Sequence, residues 1–501
     1  MNKSIFNYLR NFFALLFILS MPIIVQSQQA KSELKWAADA ESGAPYVFYD
    51  AKNPTQITGF EFELVQLLSK KLKLQPHFVQ NAWDGLILGL DRGEYDIAIN
   101  GIEITDERKK SVLFSDPYYA TFLQLVVRNN DSRFKTLSDL NGFKVGTLNG
   151  ALSEKVLRSE NGIEVLPYES ESNAHQDLLL NRSDALLFDA PIAKYYSAVD
   201  SRFKILPAVI GSMNYGIAIS KKNKDLHKKI NLALQEMTES GELKEIYEHW
   251  ALWNPATAQL FNDLSPTRIS PSSFENYKNN LNVNRGFAEK IEIYEKTIPI
   301  LLMAALKTIQ ISFFAMLVAV GGGIVLVGAR LYGGKVLRTT TISFIEVTRG
   351  TPLLLQLFFI FYALPSLGIE FSPFWAAVIG LGINYSVQEC EIYRSGLMSV
   401  HRNQIEAAKL LGLSSWQSFW SVQVPQAFRI SLPPMTTDFI ALIKDSSLVS
   451  VITMVELTKS YSTLAATYYD YMGFALIAAL LYMLIGLPLV LLSKKLEKTI
   501  L

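Results

Sequence analysis

A chain of 501 residues exceeds what one compact core needs, and its near-balanced charge, 47 basic against 46 acidic residues, excludes the clustered basic surface of a nucleic-acid binder. The average conceals an asymmetry: residues 31–290 read as an ordinary soluble mixture, whereas 297–492 are dominated by Leu, Ile, Val, Ala and Phe. One cysteine, Cys390, excludes an intrachain disulfide, and the scattered histidines (His77, His175, His227, His249, His401) lack metal-ligand spacing.

At the amino end, Lys3 and Arg10 precede an apolar run over 12–25, and Val25-Gln26-Ser27 offers small residues for cleavage. Residues 1–27 therefore read as a signal peptide or an uncleaved anchor, and either one exports the segment beyond it. Next, short apolar runs alternate with amphipathic stretches. Strands are expected at 34–38, 96–99, 144–147 and 184–188, and helices at 60–72, after Asn149-Gly150 through Leu157, and at 225–240. This alternation predicts a two-lobed α/β domain over 31–255 with largely parallel sheets and a ligand crevice between lobes. A Pro/Asn/Ser-rich stretch over 254–284 marks a linker, set at 256–295.

From residue 296 the apolar runs approach the roughly 20 residues that cross a bilayer as a helix. Candidates are 308–327, 356–367 with its upstream flank, 375–385 with flanks, 439–455 and 474–492, which predicts an all-α transmembrane domain of five helices over 296–501. Basic residues follow the first run (Arg330, Lys335, Arg338), separate the third and fourth (His401, Arg402, Lys409) and follow the fifth (Lys494, Lys495, Lys498). Five crossings put these loops on one side, and the positive-inside rule makes it cytoplasmic. Residues 31–290 are then extracytoplasmic, joined to a multi-pass inner- or plasma-membrane domain. Gly321-Gly322-Gly323 predicts close helix packing. Lys444 and Asp445, costly in lipid, are expected to face the bundle interior or each other, as a structural ion pair rather than a solute contact.

A free amino acid makes three demands on a binding site. Its carboxylate wants a planar two-pronged donor, which Arg supplies better than Lys; its ammonium wants a carboxylate; its side chain wants an apolar or aromatic wall. Trp83-Asp84-Gly85-Leu86-Ile87 precedes a helix, and Asn100-Gly101-Ile102-Glu103-Ile104-Thr105-Asp106-Glu107-Arg108 follows a strand, with Gly101 allowing close backbone approach. With the blocks at 57–64, Tyr95-Asp96, Phe114-Ser115-Asp116-Pro117-Tyr118-Tyr119, 181–185 and Asp189, these resemble the polar amino-acid binding proteins of ATP-binding-cassette importers over about 34–253. The resemblance implies that Arg108 clamps the α-carboxylate, Asp189 takes the ammonium, Trp83 lines the side-chain pocket and Asp39 is another pocket acid. It also implies that Gly150 and Ala151 present backbone N–H groups at a helix N-terminus. The sequence departs from the family pattern in three places. Ser42-Gly43-Ala44-Pro45 lacks the usual aromatic residue, so Tyr46 or Trp83 must supply the wall; Glu103 stands where Ser or Thr is common; Ala151-Leu152 replaces Thr-Thr. Glu103 is expected either to read a cationic ligand group or, as favoured here, to help hold the ammonium.

Glu406-Ala407-Ala408-Lys409-Leu410-Leu411-Gly412 and, after nine residues, Val422-Gln423-Val424-Pro425 lie in the loop at 402–425 on the expected cytoplasmic side. With Arg349-Gly350-Thr351-Pro352-Leu353, Glu391-Ile392-Tyr393-Arg394-Ser395-Gly396 and Lys444-Asp445-Ser446-Ser447-Leu448, they resemble importer permeases of the polar amino-acid class over about 300–495. Glu406, Ala407, Ala408, Gly412 and Pro425 are thereby expected to couple to an ATPase. No G-x-x-x-x-G-K-S/T phosphate loop occurs, so ATP is expected to be used by separate subunits, with no catalytic residue, metal or cofactor on this chain. Five spans are about half of a two-sided pathway, which with the family's paired permeases predicts a homodimer or a heterodimer with a related permease. The expected function is thus the solute-binding and permease subunit of an amino-acid importer. The alternative, a ligand-gated channel or receptor with an amino-acid-binding domain, calls for a carbonyl-lined filter such as TVGYG, which is absent. A cell-wall enzyme bearing the same domain needs a soluble catalytic region after residue 255, where the sequence is mostly apolar spans.

Overall fold

The computed structural model of the protein describes residues 33–41, 43–281 and 285–500. The leader expected over 1–27 lies outside them. The described residues form two compact units, 33–297 with Ser462–Met472 and Ile298–Tyr461 with 473–500.

The first unit holds two five-stranded sheets. In one the spatial order is Gln75–Gln80, Glu33–Ala38, Ile97–Ala98, Ala218–Ile219, Leu113–Phe114; in the other it is Phe203–Tyr215, Tyr119–Arg128, Ala185–Asp189, Lys144–Leu148, Glu164–Tyr168. The strands foreseen at 34–38, 96–99, 144–147 and 184–188 each fall within a residue or two of these. Pairing is mixed rather than largely parallel. Glu33–Ala38 runs parallel to both neighbours, but Ala218–Ile219 is antiparallel to Ile97–Ala98, and Tyr119–Arg128 is antiparallel to Ala185–Asp189. The chain leaves the first sheet at Leu113–Phe114 and returns at Ala218–Ile219, so the long strands Tyr119–Arg128 and Phe203–Tyr215 enter the second sheet as an antiparallel pair.

Helix Phe60–Leu72 shows why local sequence and packing agree here. It buries Phe60, Leu64, Val65 and Leu68 on one stripe, with Glu61 and Glu63 in its first turn and Lys70 and Lys71 in its last, complementing the helix dipole. It stops where Lys73 turns left-handed at φ 57°. The stretch expected as a linker is helical over Pro255–Leu260 and Ser272–Asn280, because Tyr277 is buried against the rings of Phe48 and Tyr195.

The second unit is helical. Phe287–Tyr332 and Tyr471–Lys495 are long and apolar enough to cross a membrane, and Lys335–Gly350 with Leu353–Ala363, bent by 108°, makes a third if the pair is one span. The expected runs 308–327 and 474–492 lie on the first two, and 356–367 begins in the bent pair. The run 375–385 lies on helix Pro373–Ser399, whose apolar stretch is interrupted by Asn384, Gln388 and Glu389; 439–455 covers the end of helix Val424–Asp445 and the 3-10 turn Ser446–Ile452. Helices pack closely where glycine allows. A Cβ on Gly322 would meet Ser386 Cβ at 2.7 Å, and one on Gly323 would meet Glu389 Cβ at 2.7 Å, so the glycine run serves packing as foreseen. The Lys444–Asp445 ion pair does not form: neighbouring helix residues point apart, Lys444 is exposed, and Asp445 accepts from Tyr385 Oη at 2.8 Å.

Candidate functional site

The first strand ends at Ala38, and Asp39 just beyond it organises the first lobe's wall. Its Oδ1 accepts from the Glu41 N–H (2.9 Å) and Gln80 Nε2 (2.8 Å), and its Oδ2 from the Trp83 N–H (3.1 Å). The Asp39 N–H donates to Asn100 Oδ1 at 2.8 Å, and Trp83 Nε1 donates to the Asn100 carbonyl at 2.9 Å. Gly101 comes next in a left-handed turn at φ 60°; a Cβ there would meet the Tyr46 ring at 3.0 Å. Its N–H donates to Glu61 Oε1 at 2.8 Å, and Glu61 also accepts from Tyr118 Oη. Burial pushes the Glu61 carboxyl up to about 8, against those two hydrogen bonds.

Across the cleft, Asp189 ends the strand Ala185–Asp189 and immediately precedes the helix Ala190–Val199. It accepts from Tyr215 Oη and, at 3.5 Å, from Tyr46 Oη, and the two hydroxyls lie 2.9 Å apart. Burial and the nearby Glu103 charge hold its carboxyl above the usual range, while the tyrosines and Arg108 pull it down.

Asp39, Tyr46, Trp83, Asn100, Gly101, Glu103, Ala151 and Asp189 line one cavity of about 30 Å³. That is room for about two waters. Arg108 and Gly150 stand beside this cavity rather than in its wall. The Arg108 guanidinium pairs with the Glu103 carboxylate, lies 5.1 Å from the centre of the Trp83 ring and donates to the Gly150 carbonyl at 3.3 Å. Glu103 thus holds Arg108. At the start of the helix Leu152–Ser159 the backbone N–H groups of 150–152 each have an acceptor within the chain. The Gly150 N–H donates to Glu154 Oε2 (2.7 Å), that of Ala151 to the Leu148 carbonyl (3.3 Å), and that of Leu152 to Glu103 Oε1 (2.9 Å). Orphan donors at a helix start find acceptors in the chain.

Sequence reasoning missed Tyr215 and Glu171. Tyr215 sits on the returning strand, 169 residues from Tyr46. Glu171 opens helix Glu171–Leu179 after the Ser170 cap, where an acid reads as a routine complement to the dipole. It lines the cavity and is 7% exposed. A larger cavity of about 250 Å³ is walled by Phe48, Tyr196, Trp250 and Tyr277, with Asp50, Lys52, Glu63 and Asn276 also in its lining.

In the helical unit, the expected coupling residues fall on one exposed segment. Helix Arg402–Leu410 carries Glu406, which accepts from Arg402 Nε at 3.0 Å, with Ala407 exposed and Ala408 buried. Gly412 turns left-handed at φ 86°, and Pro425 sits in the first turn of helix Val424–Asp445. Leu410 and Leu411 are 89% and 83% exposed.

Two protein families match, one for each half of the chain. Residues 34–252 match the bacterial extracellular solute-binding proteins, family 3, and residues 311–501 match the binding-protein-dependent transport system inner membrane component. The L-cystine-binding protein TcyJ of Escherichia coli is 35% identical over 198 residues, 39% of this chain and 74% of that protein. The glutamine transport system permease protein GlnP of the same organism is 35% identical over 203 residues, 40% of this chain and 93% of that protein. A solved ancestral arginine-binding protein bound to glutamine is 34% identical and aligns with 45% of this chain and 100% of that one, at a TM-score of 0.42.

Proposed function

The chain belongs to the family 3 solute-binding proteins over its first half and to the binding-protein-dependent inner membrane components over its second, fusing two parts of an amino-acid ATP-binding-cassette importer, and from that premise we propose that it captures a polar amino acid outside the membrane and passes it through its own helical half. The observation that carries the site is the convergence of Trp83, Asn100 and Gly101 from one lobe and Ala151 and Asp189 from the other on one cavity.

In this reading the lobes part, the solute enters, and its α-carboxylate replaces Glu103 on Arg108 and on the Leu152 N–H. A guanidinium receives a carboxylate two-pronged, and a helix N-terminus favours the same charge. Asp189, held by Tyr215 and Tyr46, takes the ammonium, and Trp83 and Tyr46 wall the side chain. The cystine named for TcyJ and the glutamine named for GlnP support a polar α-amino acid as solute.

Transport needs an energy source, which we assign to separate ATPase subunits seated on the loop at 402–425. There, Leu410 and Leu411 offer exposed apolar surface beside Glu406. A short amphipathic helix in a partner's groove transmits rigid-body motion. Two copies, or one with a related permease, complete the pathway. Residues 31–255 form the binding domain outside the membrane, 256–295 connect it, and 296–501 cross as a multi-pass unit. Titrating the full-length protein in detergent with the common amino acids tests this. Saturable binding of at least one is expected, and binding of none would overturn it.

A further inference from the structure

The importer reading leaves the solute's side chain unspecified, and the inference here rests on that reading while adding to it. Among the acids of the cleft, Asp39 is satisfied by three N–H donors, Glu103 by Arg108 and the Leu152 N–H, Asp189 by two tyrosines, and Glu41 by Ser462 Oγ at 2.5 Å, while Glu169 is exposed to water. Glu171 differs. At 7% exposure, its carboxylate has no cation and no side-chain donor among the described residues; its own backbone N–H is what reaches it. No Lys or Arg lines the cavity, and Arg108 beside it is already paired.

A zwitterion with a neutral side chain leaves this imbalance standing. Its carboxylate takes Arg108 from Glu103, its ammonium answers Asp189, and Glu171 stays buried without a counter-charge. A buried charge persists only when paired; otherwise the group stays protonated and offers one O–H. Burial, with Asp39, Asp189 and Glu41 nearby, holds the Glu171 carboxyl well above its ordinary value, the condition of an acid awaiting a cation. We propose that the solute is an amino acid with a cationic side chain, and that Glu171 receives the side-chain guanidinium or ammonium.

The test is a calorimetric panel on the full-length protein with L-arginine, L-lysine, L-citrulline and L-glutamine. Citrulline keeps the shape of arginine without its charge. Arginine or lysine is expected to bind at least about 30-fold more tightly than citrulline and glutamine, the loss typical of an unanswered buried charge. Glu171→Gln should bring arginine and citrulline within a few-fold of each other while citrulline binds no more weakly than before. Neutral solutes binding as tightly as cationic ones to the unmodified protein would overturn the solute class and leave the importer reading intact. An unchanged arginine preference in Glu171→Gln would overturn the role of Glu171. If that variant fails to fold, the arginine–citrulline contrast in the unmodified protein decides the class. Binding of no amino acid at all would overturn both readings.

Discussion

Arg108 and Glu103, five residues apart on one lobe, form an ion pair whose carboxylate also accepts the Leu152 N–H of the other lobe at 2.9 Å. Glu103 therefore stands where the account places a solute's carboxylate, bridging the guanidinium and a helix N-terminus. Glu103→Gln removes that competing charge and should tighten binding of α-amino acids by about tenfold, the scale of one hydrogen bond to a charged group. Weaker binding would instead make Glu103 the ammonium's partner. Arg108→Lys keeps the charge but not the fork and should weaken binding by at least about 30-fold in the same titration.

Glu61 makes the fold sensitive to alkali. Its carboxyl sits at about 8 in the folded protein against an ordinary 4.5, because it is fully buried. Below about 4.5 both states hold the proton and the contribution is complete. Between the two values the unfolded chain releases the proton and the folded one keeps it, so stability falls as pH rises, by at most roughly 4–5 kcal/mol. Above about 8 the loss is complete. Glu61→Gln, which can still accept from the Gly101 N–H, should flatten the fall in apparent melting temperature between pH 5 and 8. An unchanged slope would remove Glu61 from the explanation.

The segment after helix Arg402–Leu410 turns at Gly412, whose φ of 86° proline cannot adopt. Gly412→Pro, or Glu406→Lys on the exposed face, should leave amino-acid affinity unchanged and abolish ATP-driven uptake. Coupling needs a contact that differs between two states, and this loop offers exposed apolar and charged groups for one. Uptake surviving both substitutions would move the coupling elsewhere.

Much of this was legible before any coordinates. Trp83, Asn100 and Gly101 sit in blocks whose order identifies the first lobe, and Asp189 ends a strand that reads as one. What stayed hidden depends on tertiary contact. Tyr215 reaches Asp189 because the returning strand is antiparallel, and sequence spacing does not show that pairing. Glu171 looks like any acid after a serine cap. The bridge that Glu103 makes between Arg108 and the Leu152 N–H joins residues 49 apart in the chain, which sequence spacing does not show. Pattern alone does not delimit every membrane span, since polar residues such as Asn384 and Glu389 interrupt the apolar run that helix Pro373–Ser399 carries.

Uptake by the full-length chain in proteoliposomes, with its ATPase but no added binding protein, bears most directly on the claim that one polypeptide both captures and passes the solute. ATP-dependent accumulation of radiolabelled amino acid is expected, lost in Arg108→Ala and in Gly412→Pro alike. Accumulation only when a separate binding protein is supplied, or flux that runs without ATP, would contradict it.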